Sequence, residues 1–151
     1  MNQTTKQTIL VFGTFDLIHE GHLNFFKQAR KLAKNPYLVV SIARDQNVKK
    51  IKGRAPQTSE RSRRLRVAKI PQVDSAVLGG LKNHIPHIVK LNPQIIALGY
   101  DQKAYVQGLR HALAEVQVFP KILRLKPFKP HIYKTSLLRV KHGQKGENHL
   151  K

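Results

Sequence analysis

The chain has 151 residues and a strongly basic composition, with 28 Lys and Arg against 8 Asp and Glu and a net charge of +20. Its length predicts a single domain, and a hydrophobic fraction of 40% supplies a core, which excludes a disordered basic tail protein. Every apolar run is far shorter than the roughly 18 residues of a membrane span, and the N-terminus has no apolar signal core. The absence of cysteine excludes disulfides, thiolate metal sites and a cysteine nucleophile. We therefore expect a soluble, cytoplasmic protein without a membrane partner.

The positive charge is concentrated in two segments. Ten Lys or Arg lie between Arg44 and Lys69 against two acids, and seven more lie between Lys121 and Lys141 with no acid. Such a surface attracts polyanions, so nucleotides and, non-specifically, nucleic acid are expected partners. For most of these residues a solvated cationic surface without a partner is an equally weighted interpretation.

Strand-like and helix-like patterns alternate along the chain. In chain order they predict a strand over 8–13, a helix from 20 that ends before Asn35-Pro36, a strand over 37–43, a loop over 44–58, a helix over 59–70, a strand over 73–78 and a short helix capped by Asn83. There follow a strand over 94–99, a helix over 105–115, a strand within 116–125, a short helix from Thr135 and a flexible basic tail over 142–151.

This alternation calls for right-handed crossovers between parallel strands. The predicted fold is a Rossmann-like, doubly wound α/β domain with a parallel five-stranded sheet. Ligands of such sheets bind beyond the carboxyl ends of the strands. The segments at that edge are residues 13–21, 44–59, 79–83 and 99–103.

The strongest local signal is the turn between the first strand and the first helix, which reads Gly-Thr-Phe-Asp-Leu-Ile-His-Glu-Gly-His over 13–22. Gly13 lets the backbone approach a phosphate closely, and the helix start offers free N–H groups. His19 and His22 add imidazole donors, which suit a phosphoryl group that gains negative charge during reaction. The turn matches neither a dinucleotide fingerprint nor a Walker loop.

This turn resembles the HxGH nucleotidyltransferases, the cytidylyltransferase-like superfamily, in which His19, Gly21 and His22 match the motif. Four further segments are similar to the family: Ala43-Arg44-Asp45, the basic loop from Lys52 to Arg63, Gly99-Tyr100-Asp101-Gln102, and Tyr133 to Arg139. The last departs from the family, with Lys134 in place of a serine and Tyr133 in place of an isoleucine. The resemblance covers residues 8–140 and implies a nucleotidyltransferase domain over 1–141.

The resemblance implies that a phosphorylated acceptor attacks the α-phosphate of a nucleoside triphosphate and releases pyrophosphate without a covalent enzyme intermediate. The implied catalytic residues are His19, His22, Lys52 and Arg54. The implied nucleotide-binding residues are Gly13, Thr14, Phe15, Asp16, Gly21, Gly99, Asp101, Tyr133, Thr135, Ser136 and Arg139. The implied acceptor-binding residues are Arg44, Asp45 and Arg63. Mg²⁺ accompanies the triphosphate; no protein metal ligand is assigned, and Asp16 is an unassigned candidate.

The Gly-Tyr-Asp-Gln segment, with the Ala-Arg-Asp and Lys-x-Arg-x-Pro segments, looks most like archaeal-type FAD synthases, which adenylylate FMN with ATP. The first alternative is a glycerol-3-phosphate cytidylyltransferase, which uses CTP. A second alternative, from another functional class, is a non-catalytic RNA-binding protein on the same fold. The resemblance also implies a homodimer.

Overall fold

The structure is a computed structural model that describes residues 5–102 and 108–127. The strands are β1 (Gln7–Gly13), β2 (Pro36–Ile42), β3 (Ser75–Leu78), β4 (Ile95–Leu98) and β5 (Lys121–Arg124). The helices are α1 (Glu20–Arg30), α2 (Asp45–Lys52), α3 (Glu60–Ala68), α4 (His84–Leu91) and α5 (Leu109–Glu115).

The strands form one parallel sheet in the order β3-β2-β1-β4-β5. β1 lies between β2 and β4, so the chain winds outward in one direction to β3 and then returns across β1 to wind in the other. This confirms the predicted doubly wound parallel α/β fold. The topological switch point lies at the carboxyl ends of β1 and β4, where such sheets bind ligands.

Alternate residues of β1 belong to two apolar layers, one on each face of the sheet. Ile9 and Val11 pack with Phe26 of α1 and Val67 of α3 on one face. On the other face a second cluster contains Leu10, Phe12, Ile96, Ile88 of α4, and Leu109 and Leu113 of α5. Because both faces are covered by helices, the central strands are apolar throughout, as the sequence predicts.

The predicted loop over 44–58 is wrong in its first half, where α2 forms. This helix buries only Val48, so its sequence lacks the repeated apolar positions that would reveal it. Gly53 ends it in the left-handed conformation at φ +84°. The loop that remains covers residues 53–58 and is followed by Ser59, whose side chain caps α3 as predicted.

The structure describes the predicted elements after residue 102 only in part. The helix predicted over 105–115 is described from Leu109, and the strand within 116–125 begins directly after Pro120. The helix predicted from Thr135 and the tail over 142–151 lie outside the described residues, so the 1–141 domain bounds stay a prediction. Within residues 5–102 and 108–127, no helix combines the length and apolarity that crossing a bilayer requires.

Asp74 ties the amino-terminal edge of the sheet to α1. Its carboxylate accepts from the backbone N–H of Leu38 at 2.8 Å and from the Arg30 guanidinium at 2.6 Å. Arg30 also donates to the carbonyl of Gln72 at 3.0 Å. One carboxylate therefore joins the end of α1, the start of β2 and the approach to β3.

We predict that Asp74→Ala lowers the free energy of unfolding by about 1–2 kcal/mol, because it leaves the Leu38 N–H and the Arg30 guanidinium without this acceptor. Urea denaturation at neutral pH measures the change. A loss below about 0.3 kcal/mol, the level expected of an uninvolved surface site, would contradict the role of this carboxylate.

Candidate functional site

Two histidines cap the start of α1 reciprocally. His19 is the N-cap residue, and its Nδ1 accepts from the backbone N–H of Gly21 at 3.1 Å. In return, the backbone N–H of His19 donates to Nδ1 of His22 at 3.3 Å. The pair occupies the places that a serine and a glutamate fill in an ordinary capping box. The motif therefore places both imidazoles at the positive end of the helix dipole.

These hydrogen bonds assign the tautomers of the two rings. A backbone N–H can only donate, so each Nδ1 accepts and a neutral ring must carry its proton on Nε2. The rings of His19 and His22 stack with centroids 3.9 Å apart. The result is a pair of Nε2–H donors with their orientation fixed by the backbone.

Both rings are held neutral. Burial, together with a smaller contribution from the neighbouring His19, lowers the pKa of His22 from 6.5 to about 3. Burial also lowers the pKa of His19. At neutral pH the pair therefore presents two hydrogen-bond donors and no positive charge of its own.

Phe15 supports His22 from within the core. Its backbone has φ +53°, which is uncommon outside glycine, and its side chain is only 5% exposed. The ring meets His22 edge-on with centroids 5.1 Å apart and lies against Phe26. A Cβ on Gly13 would lie 2.4 Å from the Phe15 ring, so glycine is required there. The buried Phe15 side chain thus stabilises the turn, and the nucleotide contacts predicted for Gly13, Thr14 and Phe15 stay predictions.

Arg63 is fully buried and joins four segments at the carboxyl edge of the sheet. Its guanidinium donates to the carbonyls of Thr14 and Ala43, each at 2.9 Å, and to the Thr58 carbonyl at 3.1 Å. It also pairs with the Asp45 carboxylate at 2.5 Å. A guanidinium with its donors spread in a planar fork can satisfy all four partners at once.

Burial contradicts the predicted acceptor contact of Arg63, whereas those of Arg44 and Asp45 stay predictions. Arg63 has no exposed surface, whereas the side chain of its partner Asp45 stays 40% exposed. Asp45 and Glu60 each accept the other's backbone N–H, at 3.2 and 2.8 Å, so α2 and α3 cap one another. Arg44 donates to the Gly79 carbonyl and lies beside Glu60. In this arrangement Asp45 and Arg63 act as a frame beneath the site.

The other predicted residues of the basic loop lie at its surface. Lys52 ends α2 and Arg54 follows Gly53, and both side chains are exposed. The loop returns to the histidine turn at Asp16, whose carboxylate accepts hydrogen bonds from Gln57 and Thr58. The sequence therefore brings the two predicted phosphate-binding segments, residues 13–22 and 52–58, into direct contact.

Gln102 closes the switch point, a role that the sequence motif does not reveal. Its side chain accepts from the N–H of Gly99 at 3.1 Å and donates to the Phe12 carbonyl at 3.1 Å. Arg124 donates to the carbonyls of Gly99 and Gln102 at 2.8 and 2.9 Å. These bonds join the carboxyl ends of β1, β4 and β5. Asp101, which is predicted to bind the nucleotide, is exposed on this turn.

Four residues predicted to bind the nucleotide lie outside the described residues: Tyr133, Thr135, Ser136 and Arg139. The chain that leads to them passes close to α1. The side-chain amide of Gln28 bonds both backbone groups of Lys126, at 2.9 and 3.1 Å. These residues stay a prediction.

A second histidine pair, not singled out in the sequence, lies beyond β2 and β3. The nearly buried Ser41 hydroxyl contacts Nε2 of His87 at 2.9 Å, and Asn47 donates to the Gly80 carbonyl nearby. Burial lowers the pKa of both His84 and His87. The three-residue spacing after the Asn83 cap is the signal that would have located the pair.

The described residues do not form a metal site of their own. Within residues 5–102 and 108–127, no three His, Asp or Glu side chains converge on a common point. Asp16, the candidate ligand, already uses both carboxylate oxygens as acceptors for the 53–58 loop. No described residue is therefore assigned as a protein ligand of Mg²⁺.

Comparison with known proteins identifies relatives across the fold. The family model described as cytidylyltransferase-like matches residues 10–141. The chain is 43% identical over 121 residues to the FAD synthase of Korarchaeum cryptofilum (strain OPF8), which covers 80% of this chain and 82% of that protein. Among solved structures, the lipopolysaccharide core biosynthesis protein of Thermoplasma volcanium GSS1 matches with a TM-score of 0.74 and 31% identity, over 82% of this chain and 98% of that one.

The depressed pKa of His22 predicts a loss of stability in acid. The unfolded imidazole binds a proton below pH 6.5, whereas folded His22 does not until about pH 3, so the free energy of unfolding falls as pH drops through this window. His22→Asn should flatten this dependence by at most about 1.4 kcal/mol per pH unit. Urea denaturation between pH 4.5 and 7.5 gives the slopes. His111→Asn, at an exposed position on α5, is the matched control, and an unchanged slope in His22→Asn would contradict the assignment.

Proposed function

The chain belongs to the cytidylyltransferase-like family, and we propose from this premise that it is an FMN adenylyltransferase, which forms FAD and pyrophosphate from ATP and FMN. The reciprocal cap of His19 and His22 carries the chemistry of the proposal, since it aims two neutral N–H donors from a helix start. The choice of ATP and FMN is supported by the 43% identity to a FAD synthase.

In the proposed reaction, a terminal phosphate oxygen of FMN attacks the α-phosphorus of ATP. A new P–O bond forms, the bond to the oxygen bridging the α- and β-phosphates breaks, and pyrophosphate leaves with its electron pair. The attacking phosphate is already an anion, so no general base is required. The protein has to align the two reactants and stabilise the charge that builds on the α-phosphate.

The two imidazoles suit the second task. Neutral Nε2–H groups bind the equatorial oxygens of the α-phosphate without neutralising the nucleophile, and the start of α1 adds the positive end of its dipole. Lys52 and Arg54 are exposed at the neighbouring loop, where a point charge and a forked donor suit the departing pyrophosphate. Thr135, Ser136 and Arg139 are proposed to complete the same subsite.

Mg²⁺ enters this proposal as part of the substrate. The ion would arrive bound to the phosphates of ATP, where it would neutralise charge on the leaving group. No protein ligand is assigned to it.

Non-specific binding of nucleic acid is a second proposed property. Of the ten cations between Arg44 and Lys69, Arg44 and Arg63 are paired with Glu60 and Asp45, the two acids of the segment. Exposed cations such as Lys49, Arg61 and Arg66 supply a field that attracts polyanions regardless of sequence. The homodimer and the cytoplasmic location stay predictions.

The substrate assignment is tested by pyrophosphate release with Mg²⁺ from ATP and from CTP, each supplied with FMN and with glycerol 3-phosphate. We expect turnover with ATP and FMN alone, with FAD formed in the same amount as pyrophosphate. Turnover only with CTP and glycerol 3-phosphate would assign the chain to the cytidylyltransferase alternative. Inactivity with all four pairs would contradict the proposal and favour a non-catalytic role.

His19→Ala should lower kcat by about 10²- to 10³-fold, the effect of removing one preorganised donor to a developing oxyanion. Steady-state assays with ATP and FMN measure the change. His111→Ala, which removes an exposed histidine on α5, is the control and should retain wild-type turnover. Full activity in His19→Ala would exclude the mechanism given for the imidazole pair.

A further inference from the structure

Asp16 carries a set of contacts that the proposed reaction does not require of it. Both oxygens of its carboxylate face the 53–58 loop: Oδ2 accepts from the N–H of Gln57 at 2.7 Å, and Oδ1 accepts from the N–H of Thr58 at 3.0 Å and its hydroxyl at 2.9 Å. We propose that Asp16 is a positioning residue that anchors this loop to the histidine turn and thereby aligns Lys52 and Arg54 with the triphosphate. The alignment of Lys52 and Arg54 with the triphosphate rests on the proposed function.

The anchor is closed from the opposite side by Arg63. The Nε of Arg63 donates to the carbonyl of Thr58, and one terminal nitrogen of the same guanidinium donates to the carbonyl of Thr14. Thr58 is thus held at its N–H by Asp16 and at its C=O by Arg63. Arg66 donates to the Asp16 carbonyl at 3.2 Å, which fixes the backbone that carries the carboxylate. These contacts form a continuous ring between the turn after β1 and the loop before α3.

The anchor matters because of where the cations lie. Lys52 and Arg54 flank Gly53, whose left-handed backbone ends α2, and they stand three to six residues before Gln57 and Thr58. Both side chains are long and exposed, so their alignment depends on the course of the loop backbone. When the loop backbone is already ordered before ATP binds, less conformational entropy is lost on binding.

A carboxylate is required for this set of donors. Three hydrogens converge on Asp16, and both oxygens of an ionised carboxylate accept. The isosteric Asp16→Asn variant turns one acceptor into an NH₂ group, which would face the N–H of Gln57 or Thr58. Thr58→Val removes only the hydroxyl donor and should show the same effects with smaller size. Asp74→Asn is the matched control, since Asp74 is also a carboxylate that accepts a backbone N–H, at the opposite edge of the sheet.

The first measurement is hydrogen exchange of the free protein. Asp16→Asn should raise the exchange rate of the Gln57 and Thr58 amides on the order of tenfold, and Asp74→Asn should leave both amides as in the wild type. This readout needs neither ATP nor an acceptor, so it tests the anchor even if FMN proves to be the wrong substrate. Unchanged exchange in Asp16→Asn would overturn the proposal.

The second measurement is the affinity for Mg-ATP, by titration without acceptor. Asp16→Asn should weaken Mg-ATP binding about tenfold. In the Lys52→Ala background the same substitution should weaken binding less, because the cation that Asp16 aligns is already absent. The Mg²⁺ concentration for half-maximal ATP binding should stay unchanged. Two results would instead make Asp16 a direct ligand and overturn the positioning role. One is a higher Mg²⁺ concentration for half-maximal ATP binding in Asp16→Asn, and the other is a double variant whose loss of affinity equals the product of the two single losses.

Discussion

The buried guanidinium of Arg63 is the junction on which the carboxyl edge of this sheet depends. It binds the carbonyls of Thr14, Ala43 and Thr58 and the carboxylate of Asp45. These residues belong to the turn after β1, the end of β2, the loop before α3 and the start of α2. Because an unpaired buried charge costs several kcal/mol, the four segments and Arg63 favour one common arrangement. The position of each part of the candidate site is therefore coupled to the others.

The segments joined by Arg63 carry neutral hydrogen-bond donors and cations at separate places in the site. The histidine pair is kept neutral by burial and oriented by backbone amides, whereas the exposed Lys52 and Arg54 carry charge on a loop anchored at Asp16. This separation fits a transfer between two anions. Neutral donors can approach the reacting phosphate without pairing with the nucleophile, and the cations lie where a leaving group gains charge. Gln102 and Arg124 fix the opposite side of the switch point.

The parts predicted from sequence are those encoded by neighbouring residues. Apolar runs located the strands, helix periodicity located the helices other than α2, and the motif around His19 and His22 located the turn. The buried role of Arg63 was missed because an arginine in a basic run looks the same whether exposed or buried. Its carbonyl partners Thr14 and Ala43 are 49 and 20 residues away. The Asp16 contact to Thr58 spans 42 residues, and the tautomers depend on backbone geometry that no pattern encodes.

The central claim is that two neutral imidazoles, each protonated on Nε2, face the reacting phosphate. Nitrogen-15 NMR of the histidine side chains at pH 7 tests it most directly, because protonated and unprotonated ring nitrogens resonate far apart. The account predicts that His19 and His22 both show an unprotonated Nδ1 and a protonated Nε2 in the free protein. A proton on Nδ1 of either ring, or an imidazolium at this pH, would contradict it.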